Sequence, residues 1–180
     1  MPAFNRKSIM EYPNKKELIS KITTFINDIG LVCVEGEIPE DTFLPGMHIE
    51  NGCITYNYDL VKHPGDLIHE AGHLAVIIPD ERKVAGPDNI SGSMDPGGAE
   101  MGAIAWSWAA LKHLQLPAEV LFHEEGYKDG SANLIENFSE GHYLGVPLLQ
   151  WMGLTKEPKI GIEADEFTYP AMKKWLRCDN

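Results

Sequence analysis

The sequence predicts an α+β fold in which a short antiparallel hairpin rests on a mainly helical core. Three observations carry that prediction. Asn51-Gly52 is the preferred pair for a two-residue hairpin turn, and it divides the segment 47–58, where Ile54, Tyr56 and Tyr58 alternate after the turn. Apolar residues recur with the helical period of 3.6 over 14–29 and 66–78. The stretch 99–113 is apolar nearly all round, the pattern of a central, buried helix.

Taken in order, the first helix is expected over 14–29, with Leu18, Ile22, Phe25, Ile26 and Ile29 on one face. Asn14 and Glu17 form a capping-box pattern, and Gly30 is a natural stop. A strand over 31–38 follows, with Val32 and Val34 on one face. Next comes a loop carrying Pro39 and Pro45, and then the hairpin. In the helix over 66–78, Pro64 suits the first helical position and Asp66 places an acid in the first turn. Its apolar stripe is Leu67, Ile68, Ala71, Leu74, Ala75 and Ile78, and Pro79 ends it. Residues 79–98 hold seven prolines and glycines among Asp, Asn and Ser, and read as a long irregular loop. Asp95-Pro96 then looks like an N-cap and a first-turn proline opening the helix over 99–113. Shorter helices are expected over 117–122, 131–140, 146–152 and 170–177. The four tryptophans, Trp106, Trp108, Trp151 and Trp175, suit a core or an interface, and the core is preferred.

At 180 residues the chain is expected to form one domain, 1–180, built from a 14–78 half, the 79–98 loop and a helical 99–180 half. A net charge of -12 with no Lys/Arg cluster argues against a nucleic-acid backbone or an anionic membrane as the main partner. No apolar run approaches the roughly 20 residues of a membrane helix. Residues 1–7 contain no apolar stretch of a secretory leader. Cys33, Cys53 and Cys178 are odd in number and widely spaced, as free thiols of a reducing compartment would be. A cytoplasmic location is the expectation that follows.

The chemistry concentrates in His69-Glu70-Ala71-Gly72-His73. Positions i and i+4 share one face of a helix, so both imidazoles can reach one metal ion. Glu70 lies at the edge of that face, where it can touch a water on the metal rather than the metal itself. Two histidines leave such a site short of a ligand. Glu100, the only acid on the apolar 99–113 helix, is the preferred third, and Asp95, His113, His123 and His142 are alternatives. Zinc is the expected cofactor, although two histidines and a carboxylate also suit iron(II). Asp66, one turn before His69, is placed to orient an imidazole, and His63 reads as a cap. Hydrolysis through a metal-activated water also needs a partner for the developing oxyanion, for which His142, Tyr143 and Tyr127 are candidates.

The His69–His73 motif, following a segment that ends Cys53-Ile54-Thr55-Tyr56-Asn57-Tyr58, resembles the zincin metallopeptidases. Glu100-Met101-Gly102-Ala103-Ile104-Ala105-Trp106 is similar to the glutamate helix of their gluzincin branch, and the nearest resemblance is to the short bacterial ImmA/IrrE-type metallopeptidases. It covers residues 47–117. It implies a small zincin-like domain, with His69, His73 and Glu100 on zinc, Glu70 as general base and a peptide or protein as substrate. It also implies that the strand before the motif helix borders the cleft, where an extended peptide can add as a further strand. The alternative reading of the same residues is a non-catalytic zinc-binding protein or interaction module, which requires a fourth protein ligand.

Overall fold

The structure is a computed structural model, described over residues 14–127 and 130–178. The chain runs α1 (Lys15–Asp28), β1 (Val32–Glu35), β2 (Met47–Glu50), β3 (Cys53–Tyr56), α2 (Asp66–Val76), α3 (Pro79–Arg82), α4 (Pro96–His113), α5 (Ala118–Leu121), α6 (Ser131–Ser139) and α7 (Val146–Trp151). It is an α+β arrangement with one small sheet and several helices.

Local signals act where the sequence placed them. Asn14 Oδ1 accepts the Glu17 amide at 3.0 Å and starts α1, whose Leu18, Ile19, Ile22, Phe25 and Ile26 are buried. Asp95 Oδ2 accepts the Gly98 amide at 3.1 Å, so α4 starts at Pro96, three residues earlier than the apolar pattern alone suggested. The Asn51-Gly52 turn has positive φ at both residues, 50° and 71°, and closes the β2–β3 hairpin. A Cβ on Gly52 would stand 2.2 Å from the Arg82 carbonyl oxygen, so this turn needs glycine for space as well as for φ.

The sheet corrects the expectation of a purely antiparallel hairpin layer. Its strand order is β1-β3-β2, with β2 antiparallel and β1 parallel to β3. Val32 and Val34 do share a face, but it is the exposed one, and Cys33 between them enters the core opposite Ile54. The outer edge of β1 is sealed by Asn27, whose side-chain amide bonds both the Cys33 N–H (3.0 Å) and its C=O (2.9 Å). Among the described residues no side chain caps β2, the other edge strand, in this way, although Gly86 lies beside the Ile49 carbonyl.

α2 and α4 form the centre of the molecule. Leu67, Ile68, Ala71, Leu74 and Ala75 of α2 are fully buried, as are Ala103, Trp106, Ala109 and Leu111 of α4. Each large apolar side chain so buried contributes about 1.5–3 kcal/mol. The helices approach closely because Gly72 faces α4. A Cβ there would lie 2.8 Å from the Ala103 carbonyl oxygen and 2.9 Å from Ser107 Oγ. The buried Ser107 hydroxyl lies 2.7 Å from the Ala103 carbonyl and 3.3 Å from that of Ile68, so the seam keeps its polar groups paired.

Four expectations are corrected. α2 ends at Val76, because Ile77 and Ile78 turn extended ahead of Pro79. The stretch 79–98 is not wholly irregular: it contains α3 and turns tied by Asn89 and Glu81. No helix forms over 170–177. That segment spends its backbone groups on other elements instead: Lys173 N–H on Leu154 C=O (2.8 Å), Arg177 N–H on Ala75 C=O (2.9 Å), and Trp175 C=O on the Trp106 indole (2.8 Å). Trp151 is 66% exposed rather than core, with the Arg177 guanidinium 4.9 Å from its ring centre. No helix among the described residues is long and apolar enough to cross a membrane.

Candidate metal centre

α2 and α4 bring His69, His73 and Glu100 together. The helical i, i+4 spacing puts His69 Nε2 and His73 Nε2 3.1 Å apart, with the rings edge to face at 89°. From α4, Glu100 Oε1 lies 3.5 Å from His69 Nε2, and Oε2 lies 3.1 Å from His73 Nε2. Ligand atoms placed tetrahedrally about 2.1 Å from a zinc ion stand about 3.4 Å from one another. The three groups therefore already have the spacing of a tetrahedral cation's ligands, with two nitrogens and one oxygen as the donor set.

Electrostatics around the cluster are mutual. Hydrogen bonds to His69 and His73 hold the Glu100 carboxyl well below the usual carboxylate range, with burial opposing them. Burial disfavours the charged form of His69, yet the Glu100 hydrogen bond and the charges of Glu100, Glu70 and Asp66 outweigh it and raise its pKa. Burial also raises the Glu70 carboxyl, against the pull of His69 and His73.

The cluster lies in a cleft of about 920 Å³. His69, Glu70, His73 and Glu100 line it, together with Met47, His48 and Ile49 of β2 and Pro87, Ile90 and Pro96 of the 79–98 segment. The hairpin register makes Glu50 and Cys53, then His48 and Thr55, the hydrogen-bonded pairs, and Asn57 N–H continues the ladder to Gly46 C=O. Ile49 N–H and C=O, and Met47 C=O, therefore point away from β3 toward the sheet's edge, where Gly86 lies beside the Ile49 carbonyl.

The remaining sequence candidates fall into two groups. Tyr127 and His123 line the cleft. Asp95, His113, His142 and Tyr143 are not brought to the cluster. Asp95 is used as the α4 cap. His113 stacks among Phe25 and Trp175 on another face (5.4 and 5.2 Å between ring centres). His142 is exposed beside Glu140. Tyr143 sits on the rings of Phe138 and Tyr169. Asp66 does not orient a cluster imidazole either: its Oδ1 lies 2.8 Å from His123 Nε2. His63, read as a cap, instead stacks on the His123 ring at 3.7 Å and meets Glu125 at 3.2 Å. Sequence reasoning missed this His63–His123 pair and the cleft position of His48. Contacts spanning 57 and 62 residues leave no local signature.

Comparison of the chain with protein-family models, curated proteins and solved structures finds no match.

Proposed function

We propose that this protein is a zinc-dependent metallopeptidase or amide hydrolase of the zincin type, acting on a peptide or protein. The carrying observation is the spacing of His69 Nε2, His73 Nε2 and the Glu100 carboxylate, between 3.1 and 3.5 Å, at the floor of an open cleft. Among the described residues the group contains three protein ligands and no fourth, the pattern of a catalytic rather than a structural zinc site. A zinc ion held there supplies Lewis acidity toward a carbonyl oxygen and acidifies water.

The chain's own residues do the rest. Glu70, adjacent in sequence to the first histidine and lining the same cleft, takes the proton of the attacking water and returns it to the leaving nitrogen. Its raised pKa favours the return step. The edge-facing backbone groups of Ile49 and Met47 receive an extended substrate as an added strand, while Asn27 blocks the competing edge at β1. The burial of His73 and the apolar wall of Met47, Ile49 and Ile90 keep bulk water from the reacting bond.

The test is metal content and cleavage measured together on a protein prepared without added metal. About one zinc per chain, lost in both His73→Ala and Glu100→Ala, with metal-dependent cleavage of unstructured polypeptide, is the expected result. No bound metal in the wild type, or cleavage that survives chelation, overturns the proposal. Full activity in Glu70→Gln overturns the assigned base.

A further inference from the structure

We propose that Tyr127 is a positioning residue for the metal centre: its hydroxyl accepts the Nδ1–H of His69 and so holds the tautomer whose Nε2 faces the ion. This role differs from donation to a substrate oxyanion, and it rests on the metal-site reading above. Tyr127 OH lies 3.4 Å from His69 Nδ1, with the two rings edge to face at 89°. On the other side of the same imidazole, Nε2 faces His73 and Glu100. A hydroxyl in reach of Nδ1 therefore stands a ring's width behind the coordinating nitrogen. An oxyanion donor has to sit about 2.7–3.1 Å from the oxygen it stabilises, on the Nε2 side.

The neutral imidazole has one N–H and one lone pair, and the partner of one nitrogen decides which is which. An acceptor at Nδ1 leaves the Nε2 lone pair free for the metal. Tyr127 suits this task, because a phenol oxygen has lone pairs free to accept and His69 Nε2 is already turned to His73 and Glu100. The contrast with the second histidine supports an assignment specific to His69. His73 Nδ1 is buried and has no hydrogen-bond partner among the described residues.

The segment carrying Tyr127 is held in place for the task. His123 Nε2 meets Asp66 one turn before His69, and His63 stacks on the other ring at 3.7 Å. Ser131 Oγ donates to the His123 carbonyl at 2.6 Å, and the Tyr127 ring sits edge-on against Phe122 at 5.3 Å. Positions 123 and 127 thus grip α2 at 66 and 69, fixing where the hydroxyl stands.

The experiment uses the full chain and zinc alone. Tyr127→Phe keeps the ring and removes the acceptor. The expected result is a 10- to 100-fold weaker zinc affinity by chelator competition, with an unchanged far-ultraviolet spectrum. Nitrogen-15 spectra of the zinc-loaded wild type should show His69 protonated at Nδ1 and slow to exchange with water. Wild-type zinc affinity in Tyr127→Phe overturns the assignment. So does rapid exchange of the His69 Nδ1 proton in the wild type, a measurement that decides the matter even if the variant folds poorly. A wild type that binds no zinc overturns the metal reading itself, and is distinguished by needing no variant.

Discussion

Gly72→Ala isolates the helix seam that delivers Glu100 to the two histidines. A methyl at position 72 would lie 2.8 Å from Ala103 O, 2.9 Å from Ser107 Oγ and 3.3 Å from Ala103 Cα. Ordinary contact begins at about 3.4 Å, so α4 must retreat by about 0.6 Å, and the obstacle is backbone, which cannot swing aside. Glu100 stands three residues before Ala103 on α4 and moves with it. Metal ligands tolerate about 0.2 Å, so zinc affinity should fall by at least about tenfold. Overpacking costs about 1–3 kcal/mol, offset by about 1 kcal/mol of helix propensity, which leaves a net loss of about 0–2 kcal/mol. Gly102→Ala is the internal control on the same seam. Its methyl would meet Val76 Cγ1 at 3.6 Å, an ordinary contact, so it should stabilise by up to about 1 kcal/mol and leave zinc binding unchanged. Chelator competition and urea unfolding of the metal-free proteins read both quantities. If Gly72→Ala bound zinc like the wild type and unfolded at higher urea, the close approach at Gly72 would not be what places Glu100.

Other outcomes follow from the same geometry. Glu70→Gln should retain zinc while cleavage falls by about 10²–10⁴-fold, since the amide cannot accept the proton; loss of the metal would place Glu70 among the ligands instead. Zinc affinity should rise with pH through the raised pKa of His69, above the ordinary histidine value of 6.5. The raised pKa of His69 means the ion displaces a proton there, and calorimetry in two buffers should detect that release; pH-independent affinity would refute it. In the metal-free protein, the charged His69 stabilises below the unfolded histidine value of 6.5 and its contribution fades as pH rises through the raised folded value. The lowered Glu100 stabilises above the unfolded value of 4.5 and its contribution fades as pH falls through the folded value. Metal-free stability from this pair should therefore peak between those two values, as urea titrations at stepped pH would show. Among the thiols, Cys178 is exposed, whereas burial, with Cys53 nearby, pushes Cys33 up to about 12. Alkylation of the native protein at neutral pH should label Cys178 well before Cys33, read by peptide mass spectrometry.

What the sequence by itself determined is what can be made within a few residues of chain. The Asn14 and Asp95 caps act over three residues, the Asn51-Gly52 turn over two, and the His69–His73 pair over one helical turn. Each depends on backbone geometry that hardly changes with surroundings, so each was legible. Glu100 was preferred in the sequence over Asp95, His113, His123 and His142, but what brings it alone to the two histidines is how deeply α4 seats against Gly72. The parallel pairing of β1, the turn of Asp66 toward His123 instead of a cluster histidine, and the placement of Tyr127 behind His69 likewise join residues 20 or more apart in the chain. The final segment shows the limit most clearly. Its local pattern suits a helix, but Ala75, Leu154 and Trp106 offer its backbone partners, and the chain takes those hydrogen bonds in place of its own. Local propensity is worth tenths of a kcal/mol per residue, whereas burying aromatic side chains and pairing buried carbonyls is worth several, so tertiary packing decides wherever the two compete.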